Sequence, residues 1–254
     1  MVDYEEQGRV AVITIRRPEA RNAVNGEVAR GVEAAIDRLE EDGDRWAAIL
    51  TGEGPVFCAG ADLKEIAAGR VGELATSKGG FAGICQRERR KPIIAAVTGP
   101  ALAGGTEIVL SCDMVVAAKG ATFGIPEVKR SLVAGAGGLF RLPRLIGQPV
   151  AMEAALTGDP ITAERAYQLG MVNEVVDEGD DVLKRALALA ERITANAPVA
   201  VWESRKVVLA AQHADDDTLW RMTGAAFGAV MQTEDFAEGP RAFIEKRPPE
   251  WKGR

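Results

Sequence analysis

Two carboxylates, Glu107 and Glu127, stand beside glycine-rich turns, and that placement is the chain's main chemical signal. Glu107 interrupts the apolar run Thr106-Glu107-Ile108-Val109-Leu110, and Glu127 follows Phe123-Gly124-Ile125-Pro126. Two carboxyls converging on one cavity can hold a water between them, one as base and the other as acid. Each also has a plainer reading. A carboxylate at a helix start is stabilised by the helix dipole, and a Pro-Glu pair opens helices. The turns are Cys58-Ala59-Gly60-Ala61-Asp62-Leu63 and the stretch from Gly99 to Glu107 that carries Ala103-Gly104-Gly105. Small residues let a backbone approach a ligand closely. A helix beginning near Asp62 presents free N–H groups at its start. Two such turns can aim two N–H groups at one oxygen, which is an oxyanion hole. Taken singly, either turn can equally serve packing alone.

Other chemistries are narrowed by composition. The chain has one histidine, His213, in 254 residues. A metal site needing several imidazoles is therefore excluded, and imidazole-dependent nucleophilic catalysis would have to use that residue. Its setting, Gln212-His213-Ala214-Asp215, reads as a surface or capping position at a helix junction. Cys58, Cys85 and Cys112 are odd in number and far apart, so neither a zinc ribbon nor a disulfide framework is expected. That usage fits a reducing cytoplasm. Net charge is −6, from 31 Lys+Arg against 37 Asp+Glu, which argues against general nucleic-acid binding. Arg16, Arg17, Arg21 and Lys64 can still meet phosphates locally. Asp113 reads as structural. No Walker A sequence is present, and Gly135-Ala136-Gly137-Gly138 is not a dinucleotide fingerprint. Glycine is in excess, 28 residues where average usage gives roughly 18.

The elements that must carry these residues follow from periodicity. Strands are expected at 9–16, 46–51, 93–97, 114–117, 121–124 and 172–176. Helices are expected at 28–39, with Asn25 as N-cap, and at 81–90, 105–111, 136–156 and 162–169. Residues 66–80, with four glycines, read as loop-like or mobile. From 180 onward only helical patterns remain, at 181–195, 199–212, 215–231 and 234–244, with Pro198 and Pro240 as breaks and a basic extended tail. Strands alternate with helices up to about 176, so an α/β core of residues 1–195 with a helical region at 196–254 is expected. No run of about 18 apolar residues occurs, so no membrane insertion is expected. The strand pattern at Val10 leaves no room for a signal peptide.

Read in order, these segments resemble the enoyl-CoA hydratase/isomerase (crotonase) superfamily over essentially the whole chain. Arg17-Pro18-Glu19-Ala20-Arg21-Asn22-Ala23 resembles its early RP-x-x-x-NA segment. Phe57 to Leu63 resembles F-x-AG-x-D-L, and Ala96 to Glu107 with Cys112-Asp113 resembles AV-x-G-x-x-x-GG-x-E followed by x-D. Phe123-Gly124-Ile125-Pro126-Glu127 and Gly135 to Gly138 resemble F-x-x-PE and G-x-GG. The sequence departs from the family at Thr98, commonly Asn, at Ala103, commonly Gly, and at Ser131, often Gly. The resemblance implies a spiral of ββα units, a helical C-terminal trimerisation region, and a homotrimer or dimer of trimers. It implies an acyl-CoA substrate, with coenzyme A part of that substrate and no separate cofactor or metal. By carry-over, Glu107 and Glu127 are the catalytic acids, and the N–H groups of Ala61 and Gly104 form the oxyanion hole. Arg21, Ala23, Ala59, Asp62, Leu63, Lys64 and Gly135 fall in segments that line the substrate and CoA path. Keeping both acids favours hydration of a 2-enoyl thioester. Alternatives are dehydration of carnitinyl-CoA, whose branch Pro126 to Lys129 and Arg141-Leu142-Pro143 also resemble, double-bond isomerisation, or a non-catalytic or RNA-binding role.

Overall fold

A hairpin opens the chain: β1 (Val2–Gln7) runs antiparallel to β2 (Val10–Ile15), with Gly8 at φ +58 in the turn. The computed structural model describes residues 1–177 and 181–254. After β2 the chain turns through a 3₁₀ segment, Pro18–Ala20, and enters α1 (Gly26–Glu41). Asn25 caps α1 by accepting from Val28 N, as its side-chain type predicts. The next pass is β3 (Ala47–Gly52), the turn through Gly60, and the single-turn helix α2 (Leu63–Ala67). A 3₁₀ turn, Val71–Leu74, and a small hairpin of β4 (Ala75–Thr76) and β5 (Gly80–Phe81) follow. The third pass is β6 (Ile93–Val97), β7 (Ala101–Leu102) and α3 (Gly104–Val109). The fourth is β8 (Met114–Ala118), β9 (Thr122–Gly124) and a 3₁₀ turn, Pro126–Arg130.

Each pass places one strand in a main sheet and one short segment in a second row. The main sheet runs β1-β2-β3-β6-β8, parallel from β2 onward. The second row is stitched by Val24 to Ala61, Cys58 to Ala101, and Ala101 to Phe123. The two rows advance together, which is the spiral of ββα units that the resemblance implies. The chain then forms α4 (Gly138–Ile146), α5 (Gln148–Thr157), β10 (Ile161–Thr162), α6 (Ala163–Gln168) and β11 (Glu174–Val176). β10 pairs with β9, and β11 extends the main sheet beside β8. Four helices complete the chain: α7 (Val182–Thr194), α8 (Pro198–Ala210), α9 (Asp216–Met231) and α10 (Glu234–Glu245).

Burial explains the strand sequences. β3 and β6 are covered on both faces, so they read as continuous apolar runs rather than alternating ones. One face packs on α1 through Val28, Val32, Ile36 and Leu39. The other packs on α7, whose Val182, Ala186 and Ala190 recur every four residues against Val10, Ile49, Ile94 and Val116. Among the described residues no helix is long and apolar enough to cross a membrane.

Several expectations are corrected. The helix expected at 81–90 does not form: Phe81 ends β5, 82–86 are turns and 87–90 are irregular. Ala82 and Gly83 both hold positive φ, and a Cβ on Gly83 would sit 2.3 Å from Ala29 O. The expected helix at 136–156 is two helices, broken at Gly147 with φ +81. The loop expected at 66–80 contains the 3₁₀ turn and the hairpin, held by Glu33, which accepts from Gly79 N at 2.9 Å. Pro240 lies inside α10 rather than ending a helix. The last residues are extended but docked: Asp235 accepts from Lys252 N and Gly253 N, and Trp251 Nε1 donates to Ala195 O.

Candidate active site

The two glycine turns meet because three glycines leave no side chain between them. A Cβ on Gly60 would lie 2.8 Å from Gly104 N, and one on Gly105 would lie 2.1 Å from Cys58 O. Gly60 also holds φ +89, a conformation that costs glycine little. In the first turn, Gly60 O accepts from Val24 N and Asp62 N donates to Val24 O. That pattern skips Ala61, whose N–H has no acceptor among the described residues. In the second turn, Ala103 O accepts from Thr106 N and Glu107 N as α3 begins. Gly104 is the first residue of α3, so its N–H has no partner within the helix, and none outside it among the described residues. Two free N–H groups, those of Ala61 and Gly104, therefore flank one close approach of backbone.

Ala103 makes this second turn at φ 53, ψ −128, a region that disfavours side chains. Its N–H is tied to Gly124 O at 2.8 Å. Thr106 adds a second tie: its Oγ1 accepts from Gly124 N at 2.9 Å and lies 2.6 Å from Ala101 O. These bonds fix the start of α3 against β9, the strand that leads to Glu127.

The two glutamates sit in unlike surroundings. Glu107 is only 3% exposed, on the inner face of α3. Its Oε1 accepts from Ala136 N at 2.7 Å and Gly138 N at 2.9 Å. Burial raises its pKa above the usual carboxyl range, while the two N–H donors and the Arg141 charge partly offset that rise. Glu127 is half-buried in the 3₁₀ turn, and its buried Oε2 has no hydrogen-bond partner among the described residues. Burial, with the negative charge of Glu107 adding to it, pushes the Glu127 carboxyl up to about 7. The contrast has a direct meaning. Glu107 is supplied with donors that favour a carboxylate, and Glu127 is left in a place that favours the protonated acid.

Residues expected along the substrate path fall into three groups. Arg21, Leu63 and Lys64 are exposed on adjoining segments, since Ala59 N donates to Arg21 O at 3.0 Å. Ala23 is buried and Ala59 half-buried beneath them. Asp62 is buried, and both its oxygens are engaged inside the protein. Oδ1 accepts from Lys64 N at 2.9 Å, and Oδ2 meets Arg17 Nη1 at 2.7 Å. Burial opposes ionisation of Asp62, but Arg17 and the Lys64 N–H outweigh it and hold the pKa below the usual range. Gly135 is exposed, and it directly precedes the Ala136 amide that meets Glu107. His213 is exposed between α8 and α9, on a groove of about 1020 Å³ whose lining includes neither glutamate. Asp113 pairs with Arg89 and Arg205 and accepts from Ile93 N, the structural role its sequence suggests.

Sequence reasoning missed the residues that hold these groups in place. Arg17, expected only as a contact for phosphates, instead pairs with Asp62 and donates to Ala23 O. Asn22, fully buried, donates to Glu53 O and Val56 O and accepts from Arg17 N. Ala136 and Gly138 supply the donors to Glu107, and the Phe81 ring lies against Gly104, where a Cβ would come within 2.4 Å of it. The only signal for Asn22 was a polar residue inside a quoted motif. Nothing local marked Phe81.

Comparison with known proteins shows the family to which the chain is similar. The enoyl-CoA hydratase/isomerase family profile matches residues 5–254. A short-chain-enoyl-CoA hydratase from Clostridium acetobutylicum is 41% identical, over 97% of this chain and 95% of that one. The crystal structure of an enoyl-CoA hydratase from Mycobacterium tuberculosis superposes with TM-score 0.95 at 47% identity, covering 100% of this chain and 99% of that one. A carnitinyl-CoA dehydratase from Salmonella typhimurium is 36% identical over 97% of this chain and 96% of its own length.

Proposed function

The chain belongs to the enoyl-CoA hydratase/isomerase family, and we propose that it is an enoyl-CoA hydratase in which Glu107 is the base and Glu127 the acid. The observation that carries this assignment is the unequal pair: Glu107 Oε1 takes two backbone donors, and Glu127 Oε2 takes none.

The substrate is a 2-enoyl-CoA thioester. Its carbonyl oxygen accepts from Ala61 N and Gly104 N. Glu107 and Glu127 hold a water against C3. Glu107 removes a proton from that water as its oxygen bonds to C3. The C2–C3 π electrons move onto the thioester oxygen, where the two N–H groups stabilise the developing charge. Each such donor is worth about 3 kcal/mol in the transition state. The enolate then collapses, and C2 takes the proton that Glu127 held. The product is a 3-hydroxyacyl-CoA, with water added to one face because both carboxyls approach from that side. Glu127 must begin protonated, which its surroundings favour, and Glu107 ionised, which its two N–H donors and Arg141 support against burial. Coenzyme A enters as part of the substrate, and no step calls on a metal or separate cofactor. Arg21 and Lys64, on adjoining exposed segments, are suited to its phosphates, and Leu63 to its apolar stem. Asp62 is assigned to holding the loop, Ala23 and Ala59 to its floor, and Gly135 to the approach beside Glu107.

Residues 1–195 form the catalytic spiral in this reading, and 196–254 assemble the protein as a homotrimer or dimer of trimers. Apolar residues left open on α9 and α10 support that assembly. Free thiols at Cys58, Cys85 and Cys112 suit a cytoplasmic enzyme. A second reading, dehydration of carnitinyl-CoA, is favoured by the Salmonella relative and uses the same two acids. Turnover on a panel of CoA thioesters with identification of products tests the assignment. Crotonyl-CoA is expected to give 3-hydroxybutyryl-CoA fastest, and preferential turnover of carnitinyl-CoA would replace this reading with the second.

A further inference from the structure

We propose that Arg141, on α4 outside the reacting centre, is a positioning residue that holds both ends of Glu107 and supplies its counter-charge. This inference rests on the assignment of Glu107 as base. Arg141 Nη2 donates to Cys85 O at 2.6 Å, anchoring the guanidinium to the turn before β6. Nη1 donates to Ser111 Oγ at 2.9 Å, and Ser111 Oγ donates in turn to Glu107 O at 2.7 Å. Nη1 also reaches Ala136 O at 3.3 Å, on the residue whose N–H meets Glu107 Oε1. One planar cation thus grips the main chain of Glu107 through a hydroxyl and its carboxylate through a peptide group. A guanidinium suits this work because its donors lie in a fixed fork.

The charge of Arg141 has no closer owner. It forms no ion pair among the described residues, and its hydrogen-bond acceptors are all neutral. The ionisable groups whose charge acts with that of Glu107 are Arg141 from α4, Glu127 from the 3₁₀ turn and Cys85 from the turn before β6. Arg141 is the one cation among them. It opposes the rise that burial imposes on Glu107 and so keeps more of the base ionised near neutral pH.

Space around the guanidinium is also committed. A Cβ on Gly137 would lie 2.7 Å from Arg141 Nη1, so the guanidinium fills the space beside the loop that carries Ala136 and Gly138. The same loop holds Gly137 at φ +109, a conformation that only glycine adopts readily.

The test is the pH profile of kcat/KM for crotonyl-CoA in Arg141→Gln and Arg141→Lys, beside the unaltered enzyme. Arg141→Gln is expected to lower kcat about 10- to 100-fold with KM little changed, because the base is displaced rather than the binding surface. Its acidic limb is expected to move to higher pH, since Glu107 has lost its counter-charge and ionises later. Arg141→Lys, which restores the charge without the fork, is expected to return the limb while recovering only part of kcat. An acidic limb unmoved in Arg141→Gln would overturn the counter-charge role, and kcat within twofold of normal would overturn the positioning role. If Arg141→Gln does not fold, Ser111→Ala reads the positioning link alone, and an unchanged kcat there overturns it. Failure of the unaltered enzyme to hydrate crotonyl-CoA would instead refute the assignment beneath.

Discussion

Glu107 and Glu127 are the same residue type in unlike surroundings, and the proposed mechanism gives them opposite tasks. Both names were readable in the sequence, but the difference between them was not, because it depends on which amide groups the fold delivers. Ala136 and Gly138 come from 29 and 31 positions away to reach Glu107 Oε1, and nothing comparable reaches Glu127. That neglect has a thermodynamic cost. The folded pKa of Glu127 is raised from 4.5 to about 7, so the native state holds this proton more tightly than the unfolded chain. Its contribution to stability is complete below pH 4.5 and is lost as pH rises through about 7. Glu127→Gln carries no such penalty. From pH 5 to pH 8 the wild type is expected to lose ~1–2 kcal/mol relative to that variant, a figure reduced for the partial solvent access of the site. Denaturant unfolding at the two pH values measures the gap, and a constant gap would refute the shift. The departures from family pattern are also informative here. Ala103 and Ser131 both stand where glycine is common, and both hold positive φ, near 53 and 56. The backbone therefore keeps the glycine conformation and tolerates the strain of a side chain.

At the scale of elements, the strands and most helices were legible because burial sets their periodicity. α1 with its Asn25 cap and the buried runs of β3 and β6 are examples. The region 66–90 was not legible. Its shape comes from close backbone approaches, such as Gly79 and Gly83 against their neighbours, which leave no periodic trace. The loop that carries Ala61 shows how elements are locked together. Asp62 caps α2, which is too short to be stable by itself, and pairs with Arg17 across the spiral. Asp62→Ala removes the cap and deprives the half-buried Arg17 of its closest carboxylate. It is expected to destabilise the protein by ~3 kcal/mol and to lower kcat about tenfold or more, because the Ala61 N–H loses its support. Unfolding midpoints and steady-state kinetics on crotonyl-CoA measure both effects, and a variant unchanged in kcat would show that the loop holds itself.

At the scale of the whole molecule, the last two helices leave large apolar side chains open. α9 buries none of its residues, and Trp220 is 74% exposed on it. On α10, Phe243 is 84% exposed and Ile244 is 77% exposed. Apolar surface of this kind favours association. Helical periodicity in this region was visible in the sequence, but the sequence could not say which face stays open in a single chain. The proposed trimeric assembly predicts that the double variant Trp220→Asp, Phe243→Asp shifts the particle toward monomers in light scattering. An unchanged mass would place the assembly surface elsewhere.

In the proposed mechanism one proton leaves Glu127 as another reaches Glu107. The initial rate of crotonyl-CoA hydration, followed from pH 5 to pH 9 by loss of enoyl-thioester absorbance in the wild type and in Glu127→Gln, addresses that division of labour. The wild type is expected to show a bell whose alkaline limb falls near pH 7, where Glu127 loses its proton. Glu127→Gln is expected to be about 1000-fold slower throughout, with that limb gone. A variant within a few-fold of wild type across the range would contradict the assignment of Glu127 as the acid.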